Sequence, residues 1–271
     1  MSDVPPMRVV ATAGHVDHGK STLVRALTGM EPDRYEEERR RGLTLDLGFV
    51  WTTLPSGRGV AFVDVPGHAK LVRTMLAGVG AVDLCLFVVA ANEGWMPQTE
   101  EHLRILELVG AADGVVALTK IDMVDEAGRD RARTAVVDRL RGTFLEGRTV
   151  VDVDAVHGTG VREVGAALDA LVDRAAPVPT RDRPRLWIDR SFTIKGAGTV
   201  VTGTLGGGDL AVGDELVALD VHGRTTATRI RGLQSQEQAR DSVGPGQRVA
   251  VNVAGVHHDA LSRGAVLVQP G

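Results

Sequence analysis

The segment Gly14-His-Val-Asp-His-Gly-Lys-Ser21 restricts the possible folds of this chain more than any other feature. It follows a short apolar run, residues 7–13 (MRVVATA), and leads into a stretch of helical character from about Lys20 to Thr28 that Gly29 closes. A strand, a tight glycine loop and a helix in that order fit the pattern G-x-x-x-x-G-K-[ST], which cradles a phosphate chain. Gly14 and Gly19 let the backbone wrap closely. The N–H groups from His15, Val16, Asp17 and His18 through Lys20, Ser21 and Thr22 can then face phosphate oxygens at a helix N-terminus. The Lys20 ammonium can reach the outer phosphates, and the Ser21 hydroxyl can ligate Mg²⁺.

The remaining pattern agrees with such a loop. Residues 30–46 are charged and irregular, a long exposed segment; strands fit 47–54 and 59–64 around the turn at 55–59. Helices are expected over 68–79, 97–109, 124–142 and 161–174, alternating with strands over 83–91, 113–118 and 148–154. Strands separated by helices predict a mostly parallel sheet covered on both faces. Three prolines within 175–184 (AAPVPTRDRP) mark a linker. Beyond it, β-type runs at 185–194, 198–205, 214–219, 224–234, 247–253 and 264–268 are separated by glycine turns, with no helical period. Roughly 85 residues of this texture suit a small antiparallel β-barrel. The expected organisation is an α/β P-loop GTPase domain over 1–176, a linker over 177–184 and a β-barrel over 185–271.

Four downstream motifs carry the GTPase reading. Residues 60–63 form an apolar strand ending in Asp64-Val-Pro-Gly67, where Asp64 can hold the Mg²⁺ shell and the Gly67 N–H can sense the γ-phosphate. Thr44, within Arg-Gly-Leu-Thr-Leu-Asp, is a candidate second protein oxygen on Mg²⁺, ordered by a triphosphate and released after hydrolysis. Thr119-Lys120-Ile121-Asp122 ends a later strand: a carboxylate at Asp122 can accept from guanine N1 and N2, and the Lys120 stem can cover the base. Asn commonly opens that motif, so Thr119, with its shorter reach, predicts a weaker hold on the base. Asp154-Ala155-Val156 occupies the remaining base loop, where the Ala155 N–H can meet guanine O6. His68, directly after Gly67, is the candidate catalytic residue, orienting water against the γ-phosphate. No arginine finger is identifiable in the chain, and Arg39–Arg41 read as a solvated face, so unaided hydrolysis is expected to be slow.

Composition excludes several classes. Net charge is −4 and the apolar fraction 43%, which fits a folded chain and argues against a generally basic nucleic-acid binder. Cations are 27 Arg against four Lys, at 20, 70, 120 and 195. Where Arg is the default, a Lys marks a position that needs a compact ammonium, and two of the four fall in the motifs above. The single cysteine, Cys85, sits in an apolar run and reads as an inert strand residue. No run approaches about 18 apolar residues, so no membrane partner and a cytoplasmic location are expected.

Together these residues resemble the translational GTPases, most closely the selenocysteine-specific elongation factors. Gly-His-Val-Asp-His-Gly-Lys, Asp-Val-Pro-Gly-His and Lys195-Gly-Ala-Gly-Thr-Val-Val-Thr-Gly-Thr204 are shared with elongation factor Tu. The short loop from Lys20 to Thr44, Arg41-Gly-Leu-Thr-Leu-Asp-Leu-Gly48, Leu71-Val-Arg-Thr-Met-Leu-Ala-Gly78 and Ile188-Asp-Arg-Ser-Phe-Thr-Ile-Lys-Gly196 are similar to the narrower group. The resemblance implies delivery of selenocysteinyl-tRNA to ribosomes at recoded stop codons, with His68 activated by the ribosome. It also implies a monovalent cation near Asp17, and an aminoacyl pocket at Asp189, Arg190 and Arg248, whose arginines would favour an anionic selenolate. The residues alone read differently: Asp189 and Arg190 as a surface ion pair, Arg248 as solvated. Ala69 departs from the family pattern, in which Glu is usual.

The chain ends at Gly271, whereas family members continue into a second barrel that grips tRNA and, in bacteria, winged helices that bind an mRNA hairpin. A fragment and a truncated form are both compatible with that. Two other functions remain open: a general aminoacyl-tRNA carrier of the elongation factor Tu type, and a GTP/GDP-dependent binding module without delivery.

Overall fold

A computed structural model describes residues 7–32, 47–64, 82–178, 180 and 182–270. The helix expected over 68–79 lies outside these residues, as do Thr44, Gly67, His68 and Ala69. The chain divides into two compact units, one within Val10–Ala175 and one within Ala176–Gly271.

The first unit is built on a sheet of six strands, β1 (Arg8–Ala13), β2 (Gly48–Thr53), β3 (Gly59–Asp64), β4 (Leu84–Ala90), β5 (Asp113–Thr119) and β6 (Val150–Asp152), in the order β2-β3-β1-β4-β5-β6. β2 and β3 form an antiparallel hairpin, while β1–β4, β4–β5 and β5–β6 pair in parallel. β4 is buried at every position, as a central parallel strand covered on both faces must be. Alternation along the strands divides the side chains between the two faces. Val10, Leu84, Leu86, Val88, Val115 and Ala117 share one core with Leu23 and Val24 of α1 (Lys20–Thr28) and Leu168 and Leu171 of α4 (Val161–Arg174). Cys85 is among the buried residues, and its burial raises the thiol pKa, which keeps it inert.

Local signals set the helix ends. α2 (Pro97–Val109) starts on a proline whose fixed φ suits the first turn, and it stops at Gly110 in the left-handed conformation. α3 (Glu126–Arg139) begins where the Asp125 carboxylate accepts the Gly128 N–H at 2.7 Å. α4 buries Val164, Leu168 and Leu171, spaced to line one face.

The second unit is a closed antiparallel barrel of six strands. They are β7 (Arg185–Trp187), β9 (Gly198–Gly206), β11 (Glu215–Leu219), β12 (Thr225–Ser235), β15 (Arg248–Val253) and β16 (Val266–Val268). Pairing runs β7-β9-β15-β12-β11-β16 and returns to β7, which leaves no open edge in the ring. β8 (Arg190–Ile194) hangs on β9 and β13 (Gln238–Arg240) on β12, while β10 (Leu210–Ala211) pairs with β14 (Ser242–Val243). The run expected over 185–194 is thus two strands that break at Ile188 and Asp189. Every second residue of β15 (Val249, Val251, Val253) enters the core, which turns Arg248 and Asn252 the other way. Gly203 is obligatory at the crossing of β7 and β9, because a Cβ there would stand 2.1 Å from the Trp187 carbonyl oxygen.

Candidate functional site

The loops that carry the motifs leave the carboxyl ends of β1, β5 and β6, where open α/β sheets bind ligands. Gly14 takes φ +138°, and a Cβ on it would stand 2.1 Å from the Val88 carbonyl oxygen of β4, so only glycine fits. Asp17, exposed at the loop's tip, is left-handed at φ 62°, and Gly19 at φ 84° caps α1. α1 starts at Lys20 with no side-chain cap and no acidic residue in its first turn. Its positive end, with Ser21 and Thr22 in the first turn, is therefore available to an anion. The Lys20 side chain is buried and folds back over the loop, donating to the carbonyls of Gly14 at 3.1 Å and His15 at 2.8 Å.

Asp64 is fully buried at the end of β3, where its carboxylate accepts the Thr12 hydroxyl of β1 at 2.6 Å. A fixed carboxylate and the Ser21 hydroxyl are both hard oxygen donors of the kind that could hold Mg²⁺.

On the base side, Lys120 is left-handed at φ 54° and opens the short turn Ile121–Met123, which holds Asp122 exposed. The Thr119 hydroxyl donates to the His18 carbonyl at 2.6 Å. Although shorter than an amide, it still ties the base motif to the phosphate loop. Asp154 does more than its position in the motif suggested. One of its carboxylate oxygens accepts the N–H groups of Val156 and His157, each at 3.0 Å, and the other meets His157 Nδ1 at 2.6 Å. Burial pushes the Asp154 carboxyl upward, but the His157 N–H and imidazole and the Val156 N–H outweigh it and hold the group below the usual range. Ala155 sits inside the loop that these bonds shape.

Sequence reasoning missed three residues here. Glu93, after β4, pairs with Lys120 at 2.9 Å, and this hydrogen bond leads the causes that lower its carboxyl pKa. Gln98 and His102 of α2 reach the phosphate loop: Gln98 Oε1 accepts the Val16 N–H at 3.1 Å, and His102 Nδ1 accepts the Gly14 N–H at 3.0 Å. Their spacing of four residues on an amphipathic helix was visible in the sequence, but their target was not. The Val16 amide, expected to face phosphate oxygens, is thus turned to α2 instead.

His18 and His102 are both buried. Burial first, then the neighbouring His15 and Lys20, lowers His18 to about 4; burial, then Lys20 and His15, lowers His102 to about 3. Both therefore fold neutral, whereas in the unfolded chain they titrate at 6.5. Their contribution to stability is complete above about pH 6.5 and is lost as pH falls from there toward the folded values, because only the unfolded state gains protons. The slope approaches about 1.4 kcal/mol per pH unit per histidine. Urea midpoints measured from pH 7 to pH 5 should decline accordingly, and a flat profile would contradict the neutral burial of these rings.

In the barrel, Asp189 and Arg248 come together. The buried Asp189 carboxylate is gripped by both Nη atoms of Arg248, with Nη2 to Oδ1 at 2.9 Å. It also accepts the Thr202 hydroxyl at 2.7 Å, and Arg263 Nε donates to the Asp189 carbonyl at 2.9 Å. The residue-level reading of a surface Asp189–Arg190 pair with a solvated Arg248 is corrected: strand alternation turns Arg248, not Arg190, onto Asp189. Arg190 is half-buried at the start of β8, opposite Thr202 of β9.

The sequence profile of the elongation factor Tu GTP binding domain matches residues 5–175. The chain belongs to this family of translation-factor GTPase domains. Its similarity extends through the barrel. A selenocysteine-specific elongation factor of Desulfomicrobium baculatum is 43% identical over 262 residues, 97% of this chain and 41% of the relative. The crystal structure of a bacterial selenocysteine-specific elongation factor, EF-Sec, superposes with TM-score 0.91 at 34% identity and covers 98% of this chain and 45% of that one. The elongation factor SelB of Methanococcus maripaludis, solved with the GTP analogue GppNHp, gives TM-score 0.86 at 31% identity, covering 97% and 55%. The chain thus spans about two fifths to a little over half of the length of these relatives. Among the described residues no helix is long and apolar enough to cross a membrane.

Proposed function

We propose that this chain is the GTP-binding and GTP-hydrolysing part of a selenocysteine-specific elongation factor, with a GTPase domain over 1–176, a linker over 177–184 and a barrel over 185–271. The observation that carries the reading is the convergence of the Gly14–Ser21 loop, buried Asp64 and the Thr119–Asp122 turn, with Thr119 bonded to the loop's His18 carbonyl. In this reading the loop N–H groups and Lys20 neutralise the phosphates, and Lys20 exchanges its Gly14 and His15 carbonyls for phosphate oxygens. Ser21 and Asp64, joined by Thr44, would hold Mg²⁺, which would neutralise charge on the phosphates. Asp122 selects guanine. Lys120, steadied by Glu93, covers the base, and the Ala155 N–H meets O6. His68 orients the attacking water, and the ribosome completes its alignment. A monovalent cation near the exposed Asp17 would add positive charge at the same phosphates.

The similarity to selenocysteine-specific elongation factors supports the cargo reading, in which selenocysteinyl-tRNA is delivered to the ribosome. Asp189, Arg190 and Arg248 are the proposed aminoacyl pocket. A selenolate reaching it would compete with the Asp189 carboxylate for the Arg248 fork, so the site suits an anion and offers little to a neutral serine hydroxyl. The experiment measures ester hydrolysis of selenocysteinyl- and seryl-tRNA in the presence of full-length protein loaded with GTP or GDP. Protection of selenocysteinyl-tRNA by the GTP form alone is expected. Equal protection of both tRNAs would overturn the pocket, and indifference to the nucleotide would overturn the switch.

A further inference from the structure

The phosphate loop is held from outside by helix α2. Gln98 and His102 stand one turn apart on the same helix face, and each accepts a backbone N–H of the loop, Val16 at 3.1 Å and Gly14 at 3.0 Å. These amides lie 82 and 88 residues away in the chain, so the contact is purely tertiary. An acceptor for the Gly14 N–H must be a lone pair. His102 therefore carries its proton on Nε2, and its Nδ1 faces the loop. The ring is buried beside the Lys20 ammonium, where a second positive charge is disfavoured and a neutral acceptor is tolerated. Gly14 itself is pressed against the Val88 carbonyl oxygen of β4 and cannot shift toward the sheet. Among the described residues its N–H is bonded to His102 Nδ1 on the helix side.

We propose that Gln98 and His102 are positioning residues that hold the phosphate loop in its binding shape before a nucleotide arrives. The inference rests on the reading of this loop as the nucleotide site. With the Gly14 and Val16 amides turned to α2, the loop's entry is fixed and the N–H groups that follow point toward the phosphates. Without the two acceptors, a buried amide has no partner, and the loop relaxes into conformations that satisfy it elsewhere. Only a fraction of molecules is then competent to bind, and apparent affinity falls by that fraction. A lost direct contact to the ligand would raise the dissociation rate. A lost scaffold lowers the association rate instead.

Stopped-flow binding of a fluorescent GDP analogue to the whole chain separates the two. His102→Leu is expected to lower the association rate about tenfold while the dissociation rate changes less than threefold. His102→Asn, whose Oδ1 can occupy the place of Nδ1, should recover most of the loss. Gln98→Met, at a half-buried position, should show the same pattern at smaller size, and it carries the test if His102→Leu does not fold. Unchanged association rates in His102→Leu and Gln98→Met would overturn the proposal. So would equal losses in His102→Leu and His102→Asn, which would make the histidine a packing residue only. Failure of the wild-type chain to bind GDP would overturn the nucleotide-site reading instead.

Discussion

Replacing Asp122 by Asn should convert this chain from a guanine binder into a xanthine binder. The carboxylate is an acceptor at both oxygens and meets the two donors of guanine, N1–H and the exocyclic amine. An amide there places an N–H against one of those donors, and the pair repels. Xanthine carries a carbonyl where guanine has the amine and accepts what the amide offers. Sites that read a ligand through matched hydrogen bonds reject the mismatched analogue by about 10⁴-fold, because groups are left desolvated and unpaired. Asp122 is exposed on a short turn and takes no part in a core, so the variant should fold like the parent. Its surroundings sharpen the expectation. Ligand atoms of Asp122, Asp154 and His157 lie within 4.8 Å of one another. Asp154 is committed to its own loop's N–H groups and to His157, so it is poorly placed to take over the role of Asp122. Titration with GDP and XDP provides the measurement. Retained preference for GDP would remove Asp122 from base recognition.

The second large effect belongs to the barrel. Arg248→Leu leaves the Asp189 carboxylate, 2% exposed, with the Thr202 hydroxyl as its remaining side-chain partner among those described. Removing one half of a buried ion pair costs about 3–5 kcal/mol, because the other charge stays desolvated. The loss should appear in urea unfolding followed through Trp187 of β7, in a background with Trp51 and Trp95 changed to Phe. Asp189→Asn combined with Arg248→Leu should recover much of it, since no unpaired charge then remains. If Arg248→Leu unfolds at the parental urea concentration, the pair is solvated in solution. The same pair bears on the proposed cargo: an arginine already matched by a carboxylate would discriminate by exchange of anions, without an unpaired charge in the barrel.

Much of this architecture could be read from residues alone because the signals are local. Pro97 and Gly110 bound α2 within one turn of the sequence that specifies it, and the apolar spacing of Val164, Leu168 and Leu171 gives α4 its buried face. α3 proved shorter than expected. Its charged stretch buries only Val136 among its residues and offers little periodicity from which to judge its ends. The break at Ile188 and Asp189 was hidden for a related reason. A strand that ends in order to deliver a buried carboxylate has the same β-type composition as one that continues.

The comparison is sharpest at the site itself. By itself the sequence determined the phosphate loop, the guanine motif and the order of strands and helices. Those depend on backbone conformation and side-chain period within a few consecutive residues, such as the positive φ that Gly14 and Gly19 permit. Only the tertiary structure decided which partners hold the motifs: Gln98 and His102 on the loop's amides, Thr119 on the His18 carbonyl, Glu93 on Lys120, and Arg248 on Asp189. A hydrogen bond requires donor and acceptor to meet within about 3 Å. For residues 27 to 101 positions apart, sheet order and strand alternation set that distance, and no spacing along the chain encodes it.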